Sequence, residues 1–179
     1  MASNRTAAAR RNMPPSCTLR PIDEADLPAV LAIYAQEVRH GTASFELEPP
    51  DLAELRRRHA RVRALGLPWL VAEAARGIAG YAYATSYRER PAYRFTVENS
   101  VYVADWARGQ GIGRALLKRL VADARTAGAR QMVAVIGDSA NLGSIALHRA
   151  CGFSEVGVLR DVGRKFDRWL DTVLMQRML

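Results

Sequence analysis

The stretch that most restricts how this chain can fold is residues 96–120, TVENSVYVADWARGQGIGRALLKRL. Its first part, Thr96 to Val103, is rich in β-branched and aromatic residues and predicts a strand. From Ile112 onward the apolar residues Leu116, Leu117, Leu120, Val121 and Ala124 fall on one face of a helix. Between them lies Arg108-Gly109-Gln110-Gly111-Ile112-Gly113. Alternating glycines let the backbone approach a ligand closely, and their N–H groups can converge at a helix N-terminus that carries partial positive charge. A strand, a glycine loop and a helix in this order predict an anion cradle suited to phosphates.

Spacing decides among phosphate ligands. A P-loop needs GxxxxGK[ST], but Gly113 is followed by Arg114-Ala115. A dinucleotide fingerprint, G-x-G-x-x-G, would require glycine at Arg114 or Leu116, and its acidic partner about twenty residues on is missing as well. The pattern R/Q-x-x-G-x-G/A does fit residues 108–113. It resembles the pyrophosphate-binding signature of the GNAT superfamily of acetyl-CoA-dependent N-acetyltransferases.

The rest of the chain is consistent with one soluble domain. It has 179 residues, 49% apolar and 25% charged, enough to bury a sizeable core. No apolar run approaches a membrane span, so no membrane partner is expected. Cys17 and Cys151 make no disulfide framework, which points to a reducing, cytoplasmic setting. The net charge of +8 suits an anionic cofactor and would equally suit nucleic acid. Residues 1–17, with Arg5, Arg10 and Arg11 and no acid, are expected to be a disordered tail; a basic transit peptide is the rival reading. Residues 18–179 are expected to form the single domain.

Within that domain a short strand is expected at Thr18-Leu19-Arg20, then a helix capped by Asp23 with Leu27, Val30, Leu31 and Tyr34 on its apolar face. Residues 41–50 read as a loop. Its Phe45 is either a hydrophobic lid or a wall of a substrate pocket. Asp51 opens a second helix carrying Arg56, Arg57, Arg58, Arg61 and Arg63. Without aromatics for base stacking, this is read as a solvated face, and no nucleic-acid partner is expected. Strands follow at 68–74 and 78–87, joined by a turn at Arg76-Gly77. After the central strand and helix, Gly128 marks a helix end. A strand at 131–136, a short helix at 141–150 and strands at 153–159 and 170–179 complete the chain. The order β-α-α-β-β-β-α-β-α-β-β predicts an α/β fold, one mostly antiparallel sheet with a parallel junction, flanked by helices.

A second motif strengthens the resemblance. Asn141-Leu142-Gly143-Ser144, running into Cys151-Gly152-Phe153, is similar to the GNAT pattern N-x-x-S/A followed by x-x-G-F. Residues 92–103, Ser144-Ile145 with Leu147-His148, and Val162-Gly163-Arg164-Lys165-Phe166 with Trp169-Leu170-Asp171 resemble the phosphinothricin and methionine sulfoximine acetyltransferases. The resemblance runs from Leu19 to the C-terminus. It implies a GNAT fold whose central strands splay apart, with the pantetheine arm of acetyl-CoA pairing to Val101, Tyr102 and Val103. The pyrophosphate would lie on Arg108, Gly109, Gln110, Gly111, Ile112, Gly113 and Arg114, with Asn141 and Ser144 also on the cofactor. Asn141 has a second reading as a helix cap. Homodimers are likewise implied, with Trp169 and the last strands at the interface. No metal cluster is visible in the sequence.

The implied reaction moves acetyl to an amine, which is mostly protonated at neutral pH and needs a base. Glu98 stands in the middle of the expected central strand, on the face of Thr96, Ser100 and Tyr102, where a carboxylate is costly unless it is satisfied. It is read as the general base, with a structural salt bridge as the alternative. His148 occupies the place, seven residues after Asn141, where many GNAT enzymes carry a general-acid tyrosine. It is either that acid or a structural histidine. The resemblance puts a small amino-acid-like substrate near Arg88, Glu89 and Arg90 and along Glu98, Asn99 and Ser100. Tyr93 lies in the matched segment and Arg94 adds a cation for a carboxylate. Arg90 replaces an aromatic and Tyr87 a tryptophan common among the relatives, which predicts a more polar pocket. A protein or peptide N-acetyltransferase and a non-catalytic acetyl-CoA-binding module are the competing functions.

Overall fold

The computed structural model describes residues 17–179. The expected tail falls outside the described residues except for Cys17, which is buried in the core and so belongs to the folded body. In chain order the elements are β1 (Thr18–Pro21), α1 (Leu27–His40), α2 (Leu52–Ala64), β2 (Trp69–Ala74), β3 (Gly77–Ser86), β4 (Thr96–Val103), α3 (Ile112–Thr126), β5 (Gln131–Gly137), α4 (Leu142–Ala150), β6 (Ser154–Lys165) and β7 (Arg168–Met178). This is the expected order. The strands form one sheet, β1-β2-β3-β4-β5-β7-β6, in which only β4 and β5 run parallel. No described helix is long and apolar enough to cross a membrane.

Period-two alternation assigns the two faces of the sheet. Leu70, Ala72, Val97, Met132 and Ala134 point to one side, where α3 buries Leu116, Leu117 and Leu120. Trp69, Val71 and Tyr81 point to the other side, where α1 and α2 bury Leu27, Val30, Val38 and Leu55. Each fully buried Leu or Val contributes about 1.5–3 kcal/mol, so this central layer rigidly fixes β4.

The helix ends follow local chemistry. Asp51 Oδ1 accepts from the Glu54 backbone N–H at 2.7 Å and caps α2. Gly128, with φ 93, follows the C-cap of α3 and closes it as expected. At α1 the sequence reading needs correction, because Asp23 opens a 3₁₀ turn over Glu24–Asp26 and the α-helix starts only at Leu27. Asp26 accepts from the Asp23 backbone N–H at 2.8 Å and pairs with Arg20 at 2.7 Å. On α2, Arg57 and Arg58 pair with Glu54, and Arg58 also reaches Glu46 at 2.7 Å.

The C-terminal hairpin is longer than its pattern predicts. β6 runs to Lys165, well past Leu159, through an irregularity between Leu159 and Gly163 where Asp161 has φ 53. This bulge breaks the alternation that defined the strand. The two-residue turn that follows, Phe166-Asp167, holds φ 51 and 57. That left-handed pair belongs to a type I′ hairpin, but without the Asn-Gly that usually announces one.

Candidate active site

The β4–β5 ladder begins at Thr96↔Gln131 and ends at Asn99↔Ala134, although β4 continues to Val103 and β5 to Gly137. The strands therefore splay, and the β5-facing backbone groups of residues 100–103 have no ladder partner. A groove of about 920 Å³ opens along this free edge. Its walls are the end of β4, the glycine loop, Gln36 and Glu37 of α1, and Asn141 and Ser144 at the start of α4. A smaller cavity of about 50 Å³ fills the apex of the wedge, lined by Asn99, Ser100, Ala134, Ser144 and His148 among others.

At the far end of the groove Gly109 and Gly111 adopt φ 76 and 80, which only glycine takes without strain. Gly111 precedes α3 and brings no side-chain cap, so the first N–H groups of the helix stay available. A Cβ on Gly113 would lie 3.4 Å from both Val103 and Leu147, showing how closely α3 approaches β4. Arg108 pairs with Asp105 at 3.0 Å and reaches Glu37 at 3.5 Å across the groove, and the exposed Arg114 lines the same end. Gln110 turns away: its Nε2 donates to the Trp106 carbonyl at 3.0 Å, and it does not line the groove. An uncapped helix end beside cations, continuous with a free strand edge, fits a long ligand with a diphosphate at one end and an amide-bearing arm at the other. Acetyl-CoA is such a ligand. Among the described residues no group of three or more His, Cys, Asp or Glu could hold a metal.

Glu98 is half-buried one pair before the ladder opens, facing the side of β4 that carries Ser100 and Tyr102. Burial pushes its carboxyl above the usual carboxylate range, and the Arg88 cation partly opposes that. Across β3 its register partner is Thr85, and next along stands Tyr83, stacked on Trp69 at 4.3 Å. Tyr102 stacks on Tyr81 at 5.3 Å and meets Tyr34 edge-on at 5.2 Å, so this side of the wedge has an aromatic wall.

His148 comes from α4 on the other side of the sheet and is only 3% exposed. Its Nδ1 lies 2.8 Å from the Ser144 carbonyl and its Nε2 lies 3.0 Å from Asn99 Oδ1, while the edge of Phe153 packs on the ring. Burial lowers its pKa, opposed by the Ser144 carbonyl. Asn141 Oδ1 accepts from the Ser144 N–H at 3.2 Å, so Asn141 does cap α4 while also lining both cavities.

Several expected substrate residues are found elsewhere. Asn99 is buried on the face opposite Glu98, because neighbours on a strand alternate, and it cannot share a wall with that carboxylate. Phe45 lines neither cavity. Its ring fills the space left by two glycines; a Cβ on Gly163 would lie 2.5 Å from Phe45 Cδ2, and one on Gly137 2.9 Å from Cε1. That is the lid geometry, and the loop is tied down further by Lys165 Nζ donating to the Ser44 carbonyl at 2.8 Å and by Thr42 donating to Asp138 at 2.9 Å. Arg88, Glu89, Arg90, Tyr93 and Arg94 are exposed and line neither cavity. Arg88 lies over Tyr87 and Arg94 over Phe95, both at 4.3 Å. The groove residues of α1, Ala32, Ile33, Gln36 and Glu37, escaped the sequence reading, since nothing in an amphipathic pattern says which edge of a helix borders a cavity.

The model of the acetyltransferase (GNAT) family matches residues 30–153. The chain is 57% identical over 164 residues to a phosphinothricin N-acetyltransferase of Alcaligenes faecalis, covering 92% of this chain and 83% of that protein. It is 44% identical over 162 residues to an L-methionine sulfoximine/L-methionine sulfone acetyltransferase of Pseudomonas aeruginosa, covering 90% and 94%. The fold matches the crystal structure of a GNAT superfamily phosphinothricin acetyltransferase from Sinorhizobium meliloti in complex with AcCoA. That match has a TM-score of 0.88 and 47% identity, covering 92% of this chain and 89% of that one.

Proposed function

Since the chain belongs to the GNAT acetyltransferase family and is an acetyl-CoA-dependent N-acetyltransferase, we propose that its acceptor is the α-amine of a small amino-acid-like acid. Phosphinothricin, methionine sulfoximine and methionine sulfone are the candidate acceptors, in line with the names of its relatives. Residues 18–179 act as one catalytic domain. The observation that carries this reading is Glu98, a half-buried carboxylate with a raised pKa beside the point where β4 and β5 part.

Acetyl-CoA supplies a thioester carbonyl along the free edge of β4. Residues 101–103 would pair with its arm, and the N–H groups of the glycine loop would hold its diphosphate. Glu98 takes the proton from the ammonium group of the acceptor, directly or through water, and passes it to solvent. A pKa raised by burial brings this base closer to the working pH. The neutral amine then attacks in a ternary complex. A covalent enzyme intermediate is disfavoured, because both thiols, Cys17 and Cys151, are buried and their pKa values are raised by that burial. Among the exposed arginines of residues 88–94, Arg88 is the one whose charge acts on Glu98, and it is the candidate to hold the acceptor carboxylate.

A cytoplasmic homodimer is the expected setting. Leu159, Val162, Phe166 and Trp169 all stand exposed on the last hairpin, an apolar surface that a second copy would cover. The test of the function is thiol release from acetyl-CoA with phosphinothricin, methionine sulfoximine, methionine sulfone, ordinary amino acids and peptides as acceptors. Turnover on the first three supports the proposal. Turnover on peptides alone would replace the acceptor class with a protein one.

A further inference from the structure

The β5 side of the groove carries a buried carboxylate that the reaction above leaves unused. Asp138 follows β5 with φ 68, a left-handed conformation that Asp and Asn take more readily than other side chains. It is 7% exposed and lines the groove together with Thr42, Ala140 and Asn141. Its Oδ1 accepts from the Ala140 backbone N–H at 2.9 Å, and its own carbonyl accepts from the Asn141 N–H at 3.0 Å. Oδ2 accepts from the Thr42 hydroxyl at 2.9 Å and from Arg168 of β7 at 2.8 Å. One side chain thus joins the loop after α1, the turn into α4 and the C-terminal hairpin. Its backbone N–H donates to the Asp171 carbonyl at 2.9 Å and ties the turn to β7 a second time. The hydrogen bond from the Ala140 N–H holds the carboxyl below the usual carboxylate range against its burial, helped by Thr42 and Arg168, so Asp138 is ionised at neutral pH.

A negative charge in this wall calls for compensation, because the groove takes a polyanionic cofactor that a bare carboxylate would repel. Arg168 supplies the opposite charge from outside: its side chain is exposed and lines no part of the groove. We propose that Asp138 is a positioning residue for acetyl-CoA, one that sets Thr42 and Asn141 on the wall facing the free edge of β4 while Arg168 neutralises it. The inference rests on acetyl-CoA binding in this groove and not on the identity of the acceptor. Losing the Asp138 side chain frees the Thr42 loop and the turn at 138–141 together, and the cofactor must then order both as it binds. Losing Arg168 alone leaves a buried charge uncompensated beside the ligand, the costly way to break such a pair. Neither change touches Glu98, so the chemical step is spared.

Four variants of the full chain test this by calorimetric titration with acetyl-CoA. Asp138→Gly removes the side chain at a φ that glycine takes freely, and should weaken Kd about tenfold. Asp138→Asn keeps an oxygen for the Ala140 N–H and an amide for Thr42, tolerates the same φ, and should recover most of that loss. Arg168→Gln should weaken Kd about 3–10-fold although it lies outside the groove. In the double variant Asp138→Asn, Arg168→Gln the effect of the second change should vanish, because no charge remains to be neutralised. In steady-state assays with phosphinothricin, KM for acetyl-CoA should rise along with Kd while kcat holds. Asp138→Gly binding as tightly as wild type, an Arg168→Gln effect of equal size in both backgrounds, or a fall in kcat at unchanged Kd would overturn the assignment. Wild-type protein that binds acetyl-CoA but acetylates none of the proposed acids would remove the acceptor reading, and the Kd values would still decide the role of Asp138.

Discussion

Replacing the second and third glycines of the loop by alanine should move stability in opposite directions. Gly111 holds φ 80 just before α3. An L side chain in that left-handed region costs about 1–2 kcal/mol. For a chain of this size each kcal/mol shifts Tm by about 2–4 °C, so Gly111→Ala should lose about 2–8 °C. Gly113 lies inside the first turn of α3, and its added methyl meets Val103 and Leu147 at 3.4 Å, an ordinary contact. Removing a helical glycine gains about 0.5–1 kcal/mol, so Gly113→Ala should gain about 1–4 °C. Binding separates the two further. If the loop of Gly111→Ala relaxes to escape the strain, acetyl-CoA must restore it on binding, and Kd should weaken about 5–30-fold. Gly113→Ala should bind as wild type does. Thermal melts and calorimetric titration with acetyl-CoA decide the matter. A Gly111→Ala protein unchanged in both Tm and Kd, or a Gly113→Ala protein destabilised as much as Gly111→Ala, would refute a cradle built on left-handed glycine.

Other outcomes follow from the same geometry. The folded state holds Glu98 above its unfolded pKa near 4.5, so wild type loses stability relative to Glu98→Gln as pH rises from that value through the folded pKa. Melts should show the variant ahead at pH 8 and the gap closing toward pH 4; equal Tm values at pH 8 would contradict the burial argument. Arg88→Gln removes the cation that opposes the shift, so the acid limb of kcat/KM should move to higher pH, by less than about one unit because Arg88 is exposed and screened. A limb that moved down would reverse the assigned sign. Gly163→Ala drives a methyl into the Phe45 ring and should cost about 1–3 kcal/mol by overpacking, with Phe45→Leu relieving it in the double variant. Simple additivity of the two would show that the lid does not rest there.

The site was legible where function needs particular backbone chemistry. The loop at 108–113 stands out because phosphate binding demands glycine, and Glu98 because a carboxylate in a central strand is anomalous. The element order was readable from alternating and helical apolar patterns. The partners of those groups were not readable. Asn99 sits beside Glu98 in sequence and reads there as a substrate contact, yet the pleat sends it to the opposite face, where it meets a histidine of α4. Likewise nothing in a sequence pattern shows that Gly137 and Gly163, on strands paired only through β7, together make room for Phe45. The extension of β6 was hidden by the bulge that interrupts its alternation.

The central claim is that Glu98 removes the proton from an amino-acid-like acceptor. It is tested most directly by comparing kcat of wild type and Glu98→Gln on phosphinothricin, with acetyl-CoA affinity measured alongside. A fall of about 10²–10⁴-fold in kcat, the range of general-base catalysis, with acetyl-CoA bound as tightly as before, is the result predicted. A Glu98→Gln enzyme that turns over at the wild-type rate would contradict the account.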